Sequence, residues 1–214
     1  MEANLKRKLL LIGGGGHCHS VLDSILAIDV YDEIGIVDSI GNSILDIPVV
    51  GTDDDVLRLM SEGWTDAFIT VGSVGNTKLR RKLFKMVKRI GLNVPTIIDP
   101  TAVIARGTEV SEGVYVGKRA VINMGSRLGA CAIINSGAIV EHDCFIGDFS
   151  HISPGTIICG QVSVGNDSHV GAGSVVRQQI NIGEKVLIGA GSVVVKDIPN
   201  NVEAYGNPCK VVTK

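Results

Sequence analysis

Between residues 98 and 194 every sixth residue is aliphatic: Ile98, Ile104, Val110, Val116, Ile122, Leu128, Ile134, Val140, Ile146, Ile152, Ile158, Val164, Val170, Val176, Ile182, Ile188 and Val194. These 17 positions run without a slip in a chain that is 45% hydrophobic, so the period is not an accident of composition. A hexapeptide period of this kind predicts a parallel β-helix, in which each hexad supplies one short strand and one turn. A second period of 18 residues is superimposed. Gly129, Gly147, Gly165 and Gly183 form one column, and Gly137, Gly155, Gly173 and Gly191 form another. Three hexads therefore close one triangular coil, with glycines stacked at its corners. The repeat spans about five to six coils, a prism roughly 25–30 Å tall at the usual strand spacing. Small or β-branched residues (Ala102, Thr108, Ala120, Ser126, Ala132, Ala138) accompany the aliphatic column.

The 214 residues fit one or two domains. A net charge of −2 and a pI near 6.2, without a basic run, argue against nucleic-acid binding. Cys18, Cys131, Cys144, Cys159 and Cys209 are odd in number and lack CxxC spacing, which predicts reduced thiols and a cytoplasmic protein. Lys6, Arg7 and Lys8 precede Leu9-Leu10-Leu11-Ile12, but this apolar run is too short for a leader and four glycines follow it. No transmembrane segment is expected.

Residues 1–96 read as an α/β domain and residues 97–214 as the β-helix, with Pro95 and Pro100 at the boundary. In the first part, residues 8–12, 33–37 and 67–71 read as buried strands. Helices are predicted over residues 17–28, 52–60 and 76–90, the second capped by Thr52 ahead of Asp53-Asp54-Asp55. In the third, Leu79, Leu83, Val87 and Ile90 mark the inner face. Its basic residues (Lys78, Arg80, Arg81, Lys82, Lys85, Lys88, Arg89) mark a solvated one. This order predicts a small parallel sheet, half of a doubly wound fold. The glycine turn 13–16 follows the first strand and opens a helix, where backbone N–H groups can close on a pyrophosphate. Asp38, at the tip of the second strand, is placed for ribose hydroxyls. The third glycine of a dinucleotide fingerprint is replaced by Cys18, so a nucleoside diphosphate fits better than a dinucleotide, and a plain strand–helix turn stays open.

Within the coils, His142 is flanked by Glu141 and Asp143, and a carboxylate partner would fix its tautomer and raise its basicity. Strand neighbours point to opposite faces, so either acid reaches His142 only if the chain turns a corner there. His151 and His169 are 18 apart and are expected to stack on adjacent coils. The spacings of 9 and 18 among these histidines do not suit the zinc site of hexapeptide-repeat carbonic anhydrases, and no metal is expected. Ser153-Pro154-Gly155, Gly171-Ala172-Gly173 and Gly189-Ala190-Gly191 form a column of small residues, a groove along which an extended ligand could lie. Arg177, Lys185, Lys196 and Lys210 lie toward its C-terminal end, where phosphates could be met.

Several segments together resemble one family over nearly the whole chain. They are Gly13-Gly14-Gly15-Gly16-His17, Val37-Asp38, Val71-Gly72-Ser73, Asn135-Ser136, Glu141-His142-Asp143, Ile146-Gly147-Asp148-Phe149-Ser150-His151 and Gly206-Asn207-Pro208-Cys209-Lys210. The family is that of hexapeptide-repeat acyltransferases with a left-handed β-helix, in particular the bacterial nucleotide-sugar N-acetyltransferases and their sialic-acid O-acetyltransferase relatives. The resemblance implies an acetyl-CoA-dependent N-acetyltransferase acting on a nucleotide-linked 4-amino-sugar, UDP-linked, in surface-glycan biosynthesis. By resemblance, Gly15, Gly16, His17, Asp38, Ser39 and Gly72 would hold the nucleotide and Asn135 would lie near the sugar. His142 would be the general base, polarised by Asp143. His151, Gly160, Ala172 and Ala190 would line the acetyl-CoA groove, and a homotrimer would place active sites between prisms. A sugar O-acetyltransferase and a non-catalytic nucleotide-binding β-helix subunit remain as alternatives. A nicotinamide enzyme is disfavoured, because the first domain lacks a second mononucleotide half.

Overall fold

The computed structural model describes residues 7–40 and 43–212, which divide into two compact units. One holds the residues up to Gly72 together with Lys78–Pro95. The other holds Ser73–Thr77 and Thr96–Lys214.

The first unit contains β1 (Lys8–Ile12), α1 (Gly16–Ile28), β2 (Glu33–Val37), β3 (Val49–Gly51), α2 (Val56–Ser61), β4 (Asp66–Ile69) and α3 (Lys78–Ile90). The sheet is parallel in the order β3-β2-β1-β4. Leu9, Leu10, Leu11 and Ile12 are all 0% exposed, which explains why β1 is an unbroken apolar run rather than an alternating one. Leu10 and Ile12 pack with Val37, Ala67, Ile69, Val56, Leu59, Leu83 and Val87 on one face. The strand order reverses direction on either side of β1, so a crevice opens at the carboxyl ends of β1 and β4.

Three details depart from the sequence expectation. The three-residue β3 was not anticipated; it is too short to show a period and follows Pro48. The residues after Thr52 form a single 3-10 turn, Asp53–Asp55, before α2 proper, with a capping box between Thr52 and Asp55. On α3, Leu83 and Val87 are buried as expected, but Leu79 is 51% exposed while Arg80, assigned to the solvated face, is 3% exposed.

The second unit is a parallel β-helix of two-residue strands recurring every six residues. They stack into three sheets of six, six and five such strands, and two longer C-terminal strands bring the first sheet to eight. The first face carries Ile133–Ile134, His151–Ile152 and His169–Val170, the second Ile139–Val140, Ile157–Ile158 and Val175–Val176, and the third Phe145–Ile146 and Ser163–Val164. The inward column from Val116 to Val194 fills the axis, no member more than 2% exposed. The accompanying hydroxyls are buried but satisfied: Ser126, Ser150, Thr156, Ser168 and Ser174 each donate to a carbonyl 15 residues on. A residue of positive φ recurs every six residues from Gly107 to Gly191 and makes each corner. The two glycine columns have different causes. Gly137, Gly155, Gly173 and Gly191 take φ of 65–68°. At Gly147 and Gly165 a Cβ would fall 2.6 Å from the backbone of the next coil. The phase slips after Val194, where Ile198 rather than residue 200 bridges to Ile182 and closes the core. A hairpin, Glu203–Gly206 with Cys209–Val212, extends the first face.

Candidate active site

The three edges of the prism differ in chemistry because each hexad phase selects a different residue type. The edge between the third and first faces carries Asp148, Asn166, Glu184 and Asn200, whose side chains accept backbone N–H groups or pair with one another along the axis. They tie coil to coil and leave little for a ligand.

The edge between the second and third faces carries His142. Its corner residue Asp143 adopts φ 58°, a left-handed conformation that Asp tolerates, and this turn brings two sequence neighbours onto one side. Asp143 Oδ2 lies 2.9 Å from His142 Nδ1. Glu141 is engaged elsewhere, accepting from Asn123 Nδ2 at 3.0 Å on the previous coil. With Nδ1 donating to the carboxylate, Nε2 is left as the acceptor nitrogen of the neutral ring. Directly across from the ring is Gly160, one coil on, where a Cβ would sit 2.5 Å from His142 Nε2 and 2.7 Å from Cε1. Gly160 therefore belongs to the histidine as much as to any groove. His142 and Gly160 share a cavity of about 330 Å³ with Gln161, Gln178 and Gln179. Sequence reasoning missed these glutamines, although residue 178 stands 36 positions from His142, two whole coils.

The edge between the first and second faces carries Asn135, Pro154, Ala172 and Ala190. The two alanines are exposed, as a groove requires. On the adjoining first face, His151 and His169 are in register and meet edge to face with ring centroids 4.8 Å apart. His151 Nε2 lies 3.1 Å from Asn135 Nδ2, and its Nδ1 lies 3.1 Å from the Ser73 carbonyl oxygen. His169 is 8% exposed, and burial pushes its imidazole below the ordinary value. His142 thus stands on a different edge from Asn135, His151, Ala172 and Ala190, and one prism does not bring them together.

In the first unit, a cavity of about 500 Å³ lies at the crevice beside β1 and β4, lined by Gly13, Asp38, Ser39, Val71 and also by Thr52, Asp53, Asp54 and Lys82. Asp38 receives the Gly14 N–H at 2.5 Å and the Ile40 N–H at 2.9 Å, which hold its carboxyl below the usual range. It anchors the glycine turn before it meets any ribose. Gly15 and Gly16 open α1 with no side-chain cap, and a Cβ at either would have no neighbour within 4 Å, so their backbone faces open space. His17 is pushed down to about 4, chiefly by burial and then by the charge of Arg80, so it is neutral at physiological pH. It packs under Gly72, where a Cβ would stand 3.4 Å from His17 Cβ. Cys18, in the third-glycine position, is 0% exposed, and burial raises its thiol to about 11. Thr52, Asp53, Asp54 and Lys82 escaped the sequence reading because their local signals were those of a helix cap and a solvated helix. No group of three or more His, Cys, Asp or Glu suited to a metal ion occurs among the described residues, and no described helix is long and apolar enough to cross a membrane.

Comparison with known proteins places both units. Residues 8–87 match the PglD N-terminal domain, residues 143–178 the bacterial transferase hexapeptide (six repeats), and residues 161–196 the hexapeptide repeat of succinyl-transferase. Perosamine N-acetyltransferase from Caulobacter crescentus, solved as a histidine mutant with CoA and GDP-perosamine, is 35% identical, with 97% of each chain covered and a TM-score of 0.92. The acetyltransferase domain of PglB from Neisseria gonorrhoeae, in complex with acetyl coenzyme A, is 36% identical, with 97% of this chain and 100% of that chain covered and a TM-score of 0.91. WeeI from Acinetobacter baumannii, at 22% identity and a TM-score of 0.86, shares the fold. No curated protein sequence matches significantly.

Proposed function

Because the chain belongs to the hexapeptide-repeat nucleotide-sugar acetyltransferases with a left-handed β-helix, we propose that it transfers an acetyl group from acetyl-CoA to the amine of a nucleotide-linked 4-amino-sugar. The observation that carries this reading is the His142–Asp143 pair, with Nε2 turned away from the carboxylate toward a cavity. His142 Nε2 takes a proton as the sugar amine attacks the thioester carbonyl. The tetrahedral intermediate then expels the CoA thiolate, which recovers a proton, and the amide forms. Ala172, Ala190 and Gly160 would line the groove for acetyl-CoA. The glycine turn, Asp38, Ser39 and the crevice would take the nucleotide.

For the nucleotide, the sequence resemblance favours UDP, whereas the relative from Caulobacter was solved with GDP-perosamine. Asp53 and Asp54 on the cavity wall support guanine, whose N1–H and N2–H₂ edge suits carboxylate acceptors better than the uracil edge does. Mass-spectrometric detection of acetyl transfer to matched UDP- and GDP-linked 4-amino-sugars separates the two. Transfer to neither, with acetyl-CoA present, overturns the reading.

A second copy completes the site in this proposal. The outward residues of the second face are all aliphatic: Val103, Val121, Ile139, Ile157, Val175 and Val193, with Val103 59% and Ile157 37% exposed. Those of the third face include Glu109, Arg127, Ser163 and Asn181. The aliphatic face is flanked by the His142 edge on one side and the Ala172 edge on the other. Burying it around a three-fold axis sets the His142 edge of one copy beside the small-residue edge of the next. Light scattering at the mass of three chains is expected. A monomer with full activity would rule this assembly out.

A further inference from the structure

We propose that Gly125 is a positioning residue: the missing side chain at this corner sets where the Asp143 carboxylate stands, and through it the His142 ring. The functional consequence rests on the acetyltransferase reading, while the geometry does not. Two columns of residues run along this edge, 18 residues to the coil. The corners are Gly107, Gly125, Asp143, Gln161 and Gln179, with φ of 77°, 77°, 58°, 61° and 61°. The residues before them are Arg106, Met124, His142, Gly160 and Gln178. Backbone hydrogen bonds stack the coils here: the Asp143 N–H donates to the Met124 carbonyl at 3.0 Å and the Gln161 N–H to the His142 carbonyl at 2.9 Å. Gly125 lies one coil before Asp143, and a Cβ there would overlap Asp143 Oδ1 and fall 3.4 Å from its Cγ. Gly160 lies one coil after His142, where a Cβ would overlap the ring. The two glycines thus stand diagonally, one beside each partner of the pair.

Backbone conformation alone does not account for Gly125. Asp143, Gln161 and Gln179 take the same left-handed corner with a side chain attached, so the turn admits one at a modest cost in strain. Gly107 supplies the comparison. Its φ is also 77°, yet a Cβ there would find Met124 Cγ at 3.9 Å as its nearest neighbour, an ordinary contact. At Gly125 the space is taken by the carboxylate. Asp143 Oδ2 accepts from His142 Nδ1 at 2.9 Å, and no described residue donates to Oδ1. On the far side, Gln161 is paired forward, its Oε1 accepting from Gln179 Nε2 at 2.9 Å. Room, rather than a hydrogen bond, therefore places Oδ1. The His142 and Asp143 side chains are each 58% exposed, so a carboxylate pushed by a methyl group has solvent to move into. The chain then keeps its fold and the pair loses its geometry, on which a charge-assisted hydrogen bond depends steeply.

Gly125→Ala and Gly107→Ala share the backbone cost and differ in what the methyl group meets. Gly125→Ala is expected to lower kcat at least about ten-fold, the scale of one lost charge-assisted hydrogen bond, with KM for both substrates within about two-fold of wild type. Gly107→Ala is expected to keep the wild-type kcat. In an Asp143→Ala background, Gly125→Ala should change kcat by no more than about two-fold, because the carboxylate it displaces is gone. Nitrogen NMR of the imidazoles, with His142 assigned by its loss in His142→Gln, reads the pair without turnover. The ring signals in Gly125→Ala should match those in Asp143→Ala, and those in Gly107→Ala should match the wild type. Equal losses of kcat in the two glycine variants, or wild-type His142 signals in Gly125→Ala, would overturn the proposal. Should Gly125→Ala alone fail to fold, its combination with Asp143→Ala should fold as Gly107→Ala does. Failure in both backgrounds would assign Gly125 to the corner backbone and overturn the proposal as well. If the wild-type protein acetylates no amino-sugar, the acetyltransferase reading fails, while the ring signals still decide whether Gly125 places the pair.

Discussion

His142 Nδ1 and Asp143 Oδ2 lie 2.9 Å apart although the two residues are adjacent in sequence, a contact that an extended strand forbids. It exists because Asp143 is the left-handed corner of its coil. Glu141 is instead paired with Asn123, 18 residues back on the neighbouring coil. His142→Ala is expected to lower kcat by about 10²–10⁴-fold with both ligands still bound, and Asp143→Asn by less, since it weakens the base without removing it. Steady-state kinetics with calorimetry checks both.

Gly160→Ala tests the room around the His142 ring. The added methyl would meet His142 Nε2 and Cε1 and swing an exposed ring away from its position. A fall in kcat of about 10²-fold is expected, the usual effect of a displacement near 1 Å, with an unchanged melting temperature. Wild-type turnover in Gly160→Ala would show that the ring has other room.

Ala172→Leu and Ala190→Leu place bulk on exposed corners of the small-residue edge without touching the core. CoA affinity by calorimetry should fall at least about ten-fold, the loss of roughly 1.4 kcal/mol, while nucleotide binding is unaffected. Retained CoA affinity in both would put the groove elsewhere.

The buried His17 predicts a pH dependence of stability in the first unit. Its folded value of about 4 lies below the usual 6.5, so between these values the unfolded chain binds the extra proton. Stability is therefore full above about pH 6.5 and falls as pH drops toward 4, by up to about 1.4 kcal/mol per pH unit. Urea unfolding followed by fluorescence of Trp64, the one tryptophan and itself 4% exposed in this unit, should show the decline. In His17→Gln the decline should flatten. An equal slope in the variant would assign the effect to other groups.

The sequence alone determined the β-helix, because an axial column admits only aliphatic side chains of one size and a triangular coil recurs every 18 residues. It likewise determined the glycine turn after β1, the His142 segment and the register of His151 with His169, all of which follow from local pattern or from that period. Other features needed the tertiary structure. Which acid serves His142 depends on one backbone dihedral at Asp143, and which residues of α3 are buried depends on what packs around the helix, since Arg80 is 3% and Leu79 51% exposed. The lining by Asp53, Asp54 and Lys82 and the Ser73 carbonyl behind His151 join residues far apart in the chain. A repeat specifies where its own residues stack, since each coil repeats the last. It carries no information about a segment from outside the repeat, and residues 73–77 come to the prism from outside.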